Sequence, residues 1–146
     1  MASPVKSRKL RILLMPFLAT SHIGPFTNFA AHLTAARPDI VEATIAVTTG
    51  TANAAVVQSA LARHQSPGSV TAVRVATYPF PVVDGLPPGV ENLSTVKAAD
   101  GWRIAVAAFD ETLMRPGQEG LIREHSPDVI ITDAHFFWNT DLAADL

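Results

Sequence analysis

Between residues 10 and 75 the chain alternates short apolar runs with segments of helical period, joined by connections of a few residues. The run 10–15 (LRILLM) is too apolar to leave a face in water, which marks a strand covered on both sides. Gly24-Pro25 supplies a helix start, because proline at the first helical position gives up no donor the helix needs. Phe26, Phe29, Ala30 and Leu33 follow at helical spacing, and Arg37-Pro38 ends that segment. The run 43–48 (ATIAVT) reads as a second strand, after which Asn53 caps a helix through Val56, Val57, Ala60 and Leu61 to about His64. Ser66-Pro67-Gly68 reads as a turn, and 70–75 alternates as a third strand. This order, β-α-β-α-β with short links, predicts an α/β protein with a parallel sheet covered by helices.

The stretch 78–92 (YPFPVVDGLPPGVEN) holds four prolines and two glycines, which forbid regular structure and predict a long loop of functional kind. Ser94 or Thr95 opens a helical region through Trp102, Ile104, Val106, Phe109 and Leu113. Arg115-Pro116 breaks it, and a shorter helix runs to about His125. The run 128–132 (DVIIT) is a fourth strand ending at Asp133, and Phe136-Phe137-Trp138 leads into a last helix with no stop signal before Leu146. An apolar fourth strand at a sheet edge is a form natural proteins avoid. The expectation is therefore a flexible terminus over 1–9 and an incomplete Rossmann-like, doubly wound domain over 10–146.

Composition excludes several classes. With 146 residues, 48% hydrophobic and 16% charged, the chain can bury one sizeable core. Eleven basic against thirteen acidic residues give a net charge of -2 and no basic stripe for nucleic acid. The absence of cysteine excludes disulfides, thiolate metal sites and a cysteine nucleophile, and is compatible with a cytoplasmic location. Lys6, Arg8, Lys9 and Arg11 before the apolar run 12–19 imitate a signal sequence, but Pro16 interrupts the run and no clean cleavage motif follows. The run is also far short of the roughly 20 residues that span a bilayer. No membrane association is predicted.

Chemistry is expected where strands one and four end. In the strand order 3-2-1-4 these two are neighbours, and the crevice at their carboxyl ends binds ligand. The loop after strand one carries Thr20, Ser21 and His22; strand four delivers Asp133. An aspartate holding one imidazole nitrogen leaves the other to take a proton from a hydroxyl. Each residue also has a plainer reading: His22 as a structural histidine, Asp133 as a helix cap. His32, His64 and His125 lie on helices or near their ends and read as solvated or partly buried. His135 would complete a His22/Asp133/His135 metal set, but the set lacks the HExxH-type spacing of a specific motif, and no metal is predicted. G-x-S-x-G, GxGxxG and Walker sequences are absent. The aromatics 136–138 line either a pocket or the core.

The segment Leu13-Leu14-Met15-Pro16-Phe17 through Ser21-His22-Ile23-Gly24-Pro25 resembles the amino-terminal strand-loop-helix of plant-type UDP-dependent glycosyltransferases. Val47-Thr48-Thr49 with Asn53, Phe80-Pro81, residues 85–92, residues 127–133, Trp138 and Asp141-Leu142-Ala143 fit the same family in the same order. The resemblance implies the amino-terminal, acceptor-binding part of a GT-B fold. It also implies an inverting, metal-independent transfer of sugar, glucose in the first instance, from a UDP-sugar donor to a small hydrophobic acceptor of plant secondary metabolism. No cofactor beyond the donor is implied. By the same resemblance His22 is the base and Asp133 its orienting partner. Phe17, Ser21, Pro81, Leu86, Trp102, Phe136 and Phe137 shape the acceptor site, and Ser21 approaches the donor. The family's donor-binding half does not occur in this sequence, so a complementary carboxyl-terminal domain or chain is the expected partner. The competing expectations are a ligand-binding module with a structural His22, and an interaction fragment that pairs its open edge with another chain.

Overall fold

The structure, a computed structural model, describes residues 7–65 and 72–146. Its strands are β1 (Leu10–Met15), β2 (Val41–Thr48), β3 (Arg74–Tyr78) and β4 (Val129–Thr132). They form one sheet in the order β3-β2-β1-β4, every pairing parallel, as the alternating sequence predicts. Its helices are α1 (Thr20–Ala36), α2 (Thr51–Ala62), α3 (Gly101–Ala108), α4 (Glu111–His125) and α5 (Trp138–Ala144). Successive side chains of a strand point to opposite faces, and β1 uses both. Ile12 and Leu14 join Ile23, Ala30, Val57 and Leu61 under α1 and α2. Leu13 and Met15 join Met114, Leu121, Ile122, Trp138 and Leu142 under α4 and α5.

Several boundaries differ from the sequence reading. α1 begins at Thr20 and not at Pro25, so Ser21 and His22 lie in its first turn and not in a loop. Pro25 therefore sits inside the helix and removes the bond its N–H would have given to the Ser21 carbonyl. The early start is set by backbone: the His22 and Ile23 N–H groups both donate to the Ala19 carbonyl, at 3.0 and 2.9 Å. α2 begins after Gly50, and Asn53 is buried rather than capping. β3 starts at Arg74, so the expected strand 70–75 is displaced toward the carboxyl end by the register that pairs Thr44 with Arg74 and Thr48 with Tyr78. The expected turn at Ser66-Pro67-Gly68, residues 70 and 71, and Lys6 lie outside the described residues.

The helical region after the loop divides at Asp110 and not at Pro116. The Asp110 carboxylate accepts from the Leu113 N–H at 3.2 Å, an N-cap strong enough to start α4 there. Ser94 and Thr95 open no helix; a single 3-10 turn at Ala98–Asp100 precedes α3. α5 ends at Ala144. Arg8, in the segment expected to be flexible, pairs with Asp128 at 2.7 Å. Among the described residues no helix is long and apolar enough to cross a membrane.

Candidate active site

β1 and β4 run side by side, with Met15 opposite Thr132. The chain leaves them in different directions: β1 into α1, β4 through a 3-10 turn at Ala134–Phe136 into α5. This divergence opens the crevice that doubly wound sheets use for ligands. It places His22 against Asp133, with Nδ1 2.6 Å from Oδ2.

The Asp133 carboxylate is only 7% exposed and is held on every side. Its Oδ2 also accepts the Phe17 N–H at 3.2 Å. Its Oδ1 accepts the His135 N–H at 3.3 Å and meets the His135 ring nitrogen Nδ1 at 2.6 Å. Asp133 is thus both the cap of the 3-10 turn and the partner of His22, so the two sequence readings are compatible. Burial pushes its carboxyl up; the hydrogen bonds from His135 and His22, then the backbone N–H groups of His135 and Phe17, outweigh that and hold it at about 2. Asp133 therefore stays ionised at neutral pH. A neutral imidazole that donates from Nδ1 keeps an open lone pair on Nε2, which suits His22 to accept a proton.

A depressed carboxyl stabilises the fold above its unfolded value near 3.9, and that contribution disappears as pH falls through about 2. Asp133→Asn is expected to remove roughly 2–3 kcal/mol of stability at neutral pH. Its loss of stability between about pH 4 and pH 2 should be correspondingly shallower. Chemical unfolding at a series of pH values checks both; parallel acid profiles for the two proteins would refute the role given to these hydrogen bonds.

The aromatic surroundings are partly as expected. Phe17 is buried at 3% exposure. It lies edge-on to His22 and stacks on His135, with ring centres 5.6 and 4.6 Å away. Phe109, which the sequence reading left in a helix face, stacks on Phe17 at 5.3 Å while remaining half exposed. Phe136 is fully buried among Phe17 and Trp138, so its assignment to the acceptor surface is corrected: the ring belongs to the core. Phe137 is exposed and touches Trp138 edge-on. Ser21 is exposed in the first turn of α1. Trp102 is exposed beside the Arg103 guanidinium and lines a concavity of about 360 Å³ with Val82, Val106 and Leu113. Pro81 and Leu86 line a separate cavity of about 310 Å³ between the long loop and the start of α2. The sequence reading gathered these residues into one acceptor site; the structure distributes them over neighbouring surfaces.

A buried polar chain fastens the long loop to the site. Asn53 Nδ2 donates to Thr48 Oγ1 at 2.6 Å, and Asn92 Nδ2 donates to Asn53 Oδ1 at 2.9 Å. The Ser94 N–H donates to Asn92 Oδ1, and Ser94 Oγ accepts the Thr20 N–H at 3.0 Å. That last bond satisfies a free donor at the start of α1, where Ala19 has no side chain to do so. Glu91 is buried beside Gly50, where a Cβ would collide with its carboxylate. Burial pushes the Glu91 carboxyl up against the pull of the Thr48 and Thr49 hydroxyls. Polar residues in a proline-rich loop give no periodic signal, so the sequence offered no route to these pairings.

No family model matches the chain. Nuatigenin 3-beta-glucosyltransferase of Solanum aculeatissimum is 31% identical over 144 residues, 96% of this chain and 27% of that protein. Solanidine UDP-glucose glucosyltransferase 1 of Solanum tuberosum is 32% identical over 138 residues, 94% of this chain and 27% of its own length. The chain thus spans about a quarter of these relatives. Among solved structures, UGT73P12 of Glycyrrhiza uralensis, complexed with glycyrrhetinic acid 3-O-monoglucuronide, superposes with a TM-score of 0.76 at 28% identity. That superposition covers 94% of this chain and 26% of that one. UGT89C1 of Arabidopsis thaliana, at 22% identity and a TM-score of 0.65, shares the fold.

Proposed function

The chain is a homologue of the plant UDP-glycosyltransferases, and on that premise we propose that it forms the acceptor side of such an enzyme. In this reading a complementary domain or chain holds a UDP-sugar, UDP-glucose in the first instance, while the present chain holds a small hydrophobic acceptor. The reading places the enzyme in the cytoplasm. The observation that carries it is the 2.6 Å contact between His22 Nδ1 and Asp133 Oδ2 at the crevice between β1 and β4.

The steps follow from that contact. His22 Nε2 takes the proton of the acceptor hydroxyl as the oxygen attacks the anomeric carbon of the donor. The bond from that carbon to the UDP oxygen breaks, and UDP leaves with the electron pair. Attack opposite the leaving group inverts the anomeric centre. Asp133 keeps the imidazole in the tautomer that can accept, and stabilises the imidazolium that forms. The positive charge that develops on the ring is met by a carboxylate already in place. Phe109 and His135 present aromatic surface beside His22, backed by the buried Phe17 ring and suited to an apolar acceptor.

The test is release of UDP from UDP-glucose, in a protein that joins this chain to a donor-binding domain. UDP should appear only when an aromatic acceptor such as quercetin is added, and Asp133→Ala should lower the rate by about 10²-fold. Tight binding of the acceptor with no UDP release would instead make the chain a binding module. Undiminished transfer by Asp133→Ala would remove the dyad from the mechanism.

A further inference from the structure

The Asp133 carboxylate is shared. His22 Nδ1 approaches Oδ2 and His135 Nδ1 approaches Oδ1, each at 2.6 Å, while a single histidine would suffice to make a base. The two imidazoles stand nearly perpendicular, ring centres 5.4 Å apart. One ligand atom from each of His22, Asp133 and His135 can be chosen so that all lie within 4.8 Å of one another. The two histidines are held by different elements, α1 and the 3-10 turn after β4, and Phe17 packs against both rings. Both remain about one-third exposed, so an ion from solvent can reach them.

Two imidazoles and one carboxylate are the donors that borderline divalent ions prefer, whereas Mg²⁺ and Ca²⁺ seek oxygen alone. Bonds of about 2.0–2.2 Å to such donors set ligand atoms roughly 3.4 Å apart in a tetrahedron. Atoms already within 4.8 Å reach that arrangement by small ring rotations. Where two Nδ1–H groups now converge on the carboxylate, one dication can replace both protons. We propose that His22, Asp133 and His135 form a binding site for Zn²⁺ or a related transition-metal ion, and that occupancy switches the dyad off.

The switch follows from proton bookkeeping on a neutral ring. When Nδ1 binds the metal, the proton it carried moves to Nε2; none is gained or lost. Nε2 then donates and can no longer accept, which removes the lone pair that transfer needs. The metal site rests on geometry alone, while the loss of transfer rests on the reading of His22 as the base. The ion is an inhibitor here and not a cofactor.

Titration calorimetry with ZnCl₂ on the full chain tests the site directly. One Zn²⁺ should bind per chain, Co²⁺ should bind with visible d–d bands, and Mg²⁺ should give no heat. His135→Phe keeps the ring that packs on Phe17 and removes the nitrogen. It should weaken Zn²⁺ by at least the 10–100-fold or so that losing even an outer partner costs. His64→Phe should leave the affinity unchanged; His64 belongs to a second histidine pair with His32, ring centres 5.0 Å apart. Zn²⁺ affinity untouched by His135→Phe, or lost on His64→Phe, would overturn the proposal. Should His135→Phe fail to fold, imidazole proton resonances of the unaltered chain decide: Zn²⁺ must shift those of His22 and His135 together. Zn²⁺ bound at these two rings with full transfer activity would leave the site standing and refute the base assignment.

Discussion

Replacing His22 with alanine is expected to lower kcat/KM for sugar transfer by about 10²–10⁴-fold, the usual contribution of a positioned general base. The fold should survive. His22 is partly exposed, and Asp133 would keep three of its hydrogen bonds: the Phe17 N–H, the His135 N–H and the His135 ring. The loss should fall on kcat, because the neighbouring aromatic surface of Phe109, supported by the buried Phe17, is left in place to bind the acceptor. His135 holds the other carboxylate oxygen through the same ring nitrogen, so a His22→Ala/His135→Phe double variant shows whether any residual transfer passes through it. Steady-state kinetics with thermal unfolding on the same samples gives both readings. Transfer within a few-fold of the unaltered protein would assign the base elsewhere.

The second large effect concerns stability. Trp138→Ala is expected to cost about 3–5 kcal/mol, the range for removing a fully buried aromatic. Trp138 does more than fill volume. Its Nε1 donates to Gln118 Oε1 at 2.7 Å, and Gln118 Nε2 donates to Tyr78 Oη at 3.1 Å, all inside the core under α4 and α5. Burial also pushes the Tyr78 phenol up, so it remains neutral and able to accept. Trp138→Phe separates the two contributions. It keeps most of the ring but strands the Gln118 carbonyl oxygen, a loss of about 1–3 kcal/mol for an unpaired buried acceptor. Denaturant unfolding measures both variants. A Trp138→Phe protein as stable as the unaltered one would show that the Gln118 bond contributes nothing.

The parallel sheet was legible from residue patterning, and its strand order from the commonest arrangement of doubly wound sheets. Runs such as 10–15 carry no polar face, and only a sheet covered on both sides accommodates them. The pairing of His22 with Asp133 was legible for the same reason, since strand order alone makes the two strand ends neighbours. Helix boundaries were less so. Pro25 looks like a helix start and Pro116 like a break, yet each sits at the sixth position of its helix, past the cap that decides the start. Those caps come from Ala19 backbone and Asp110 side chain, and neither stands out in the sequence. His135 was recognised only as a third ligand, because its hold on the other Asp133 oxygen depends on the tight turn after β4. The place of Phe136 could not be decided from sequence: along Phe136-Phe137-Trp138 the inward and outward rings alternate with the turn geometry, and composition is blind to it.

The bond between Ser94 Oγ and the Thr20 N–H divides the long loop into two territories. Residues 92–94 are tied to the helix that carries His22, so a change there disturbs the placing of that histidine. Residues 81–89 are held by local turns and by the Arg103 guanidinium on the Asp84 carbonyl, with no described bond to that helix. On the proposed reading, acceptor preference is free to drift across the tip of the loop while the geometry of His22 and Asp133 at its root stays fixed, so that one scaffold would trade substrates without rebuilding its base.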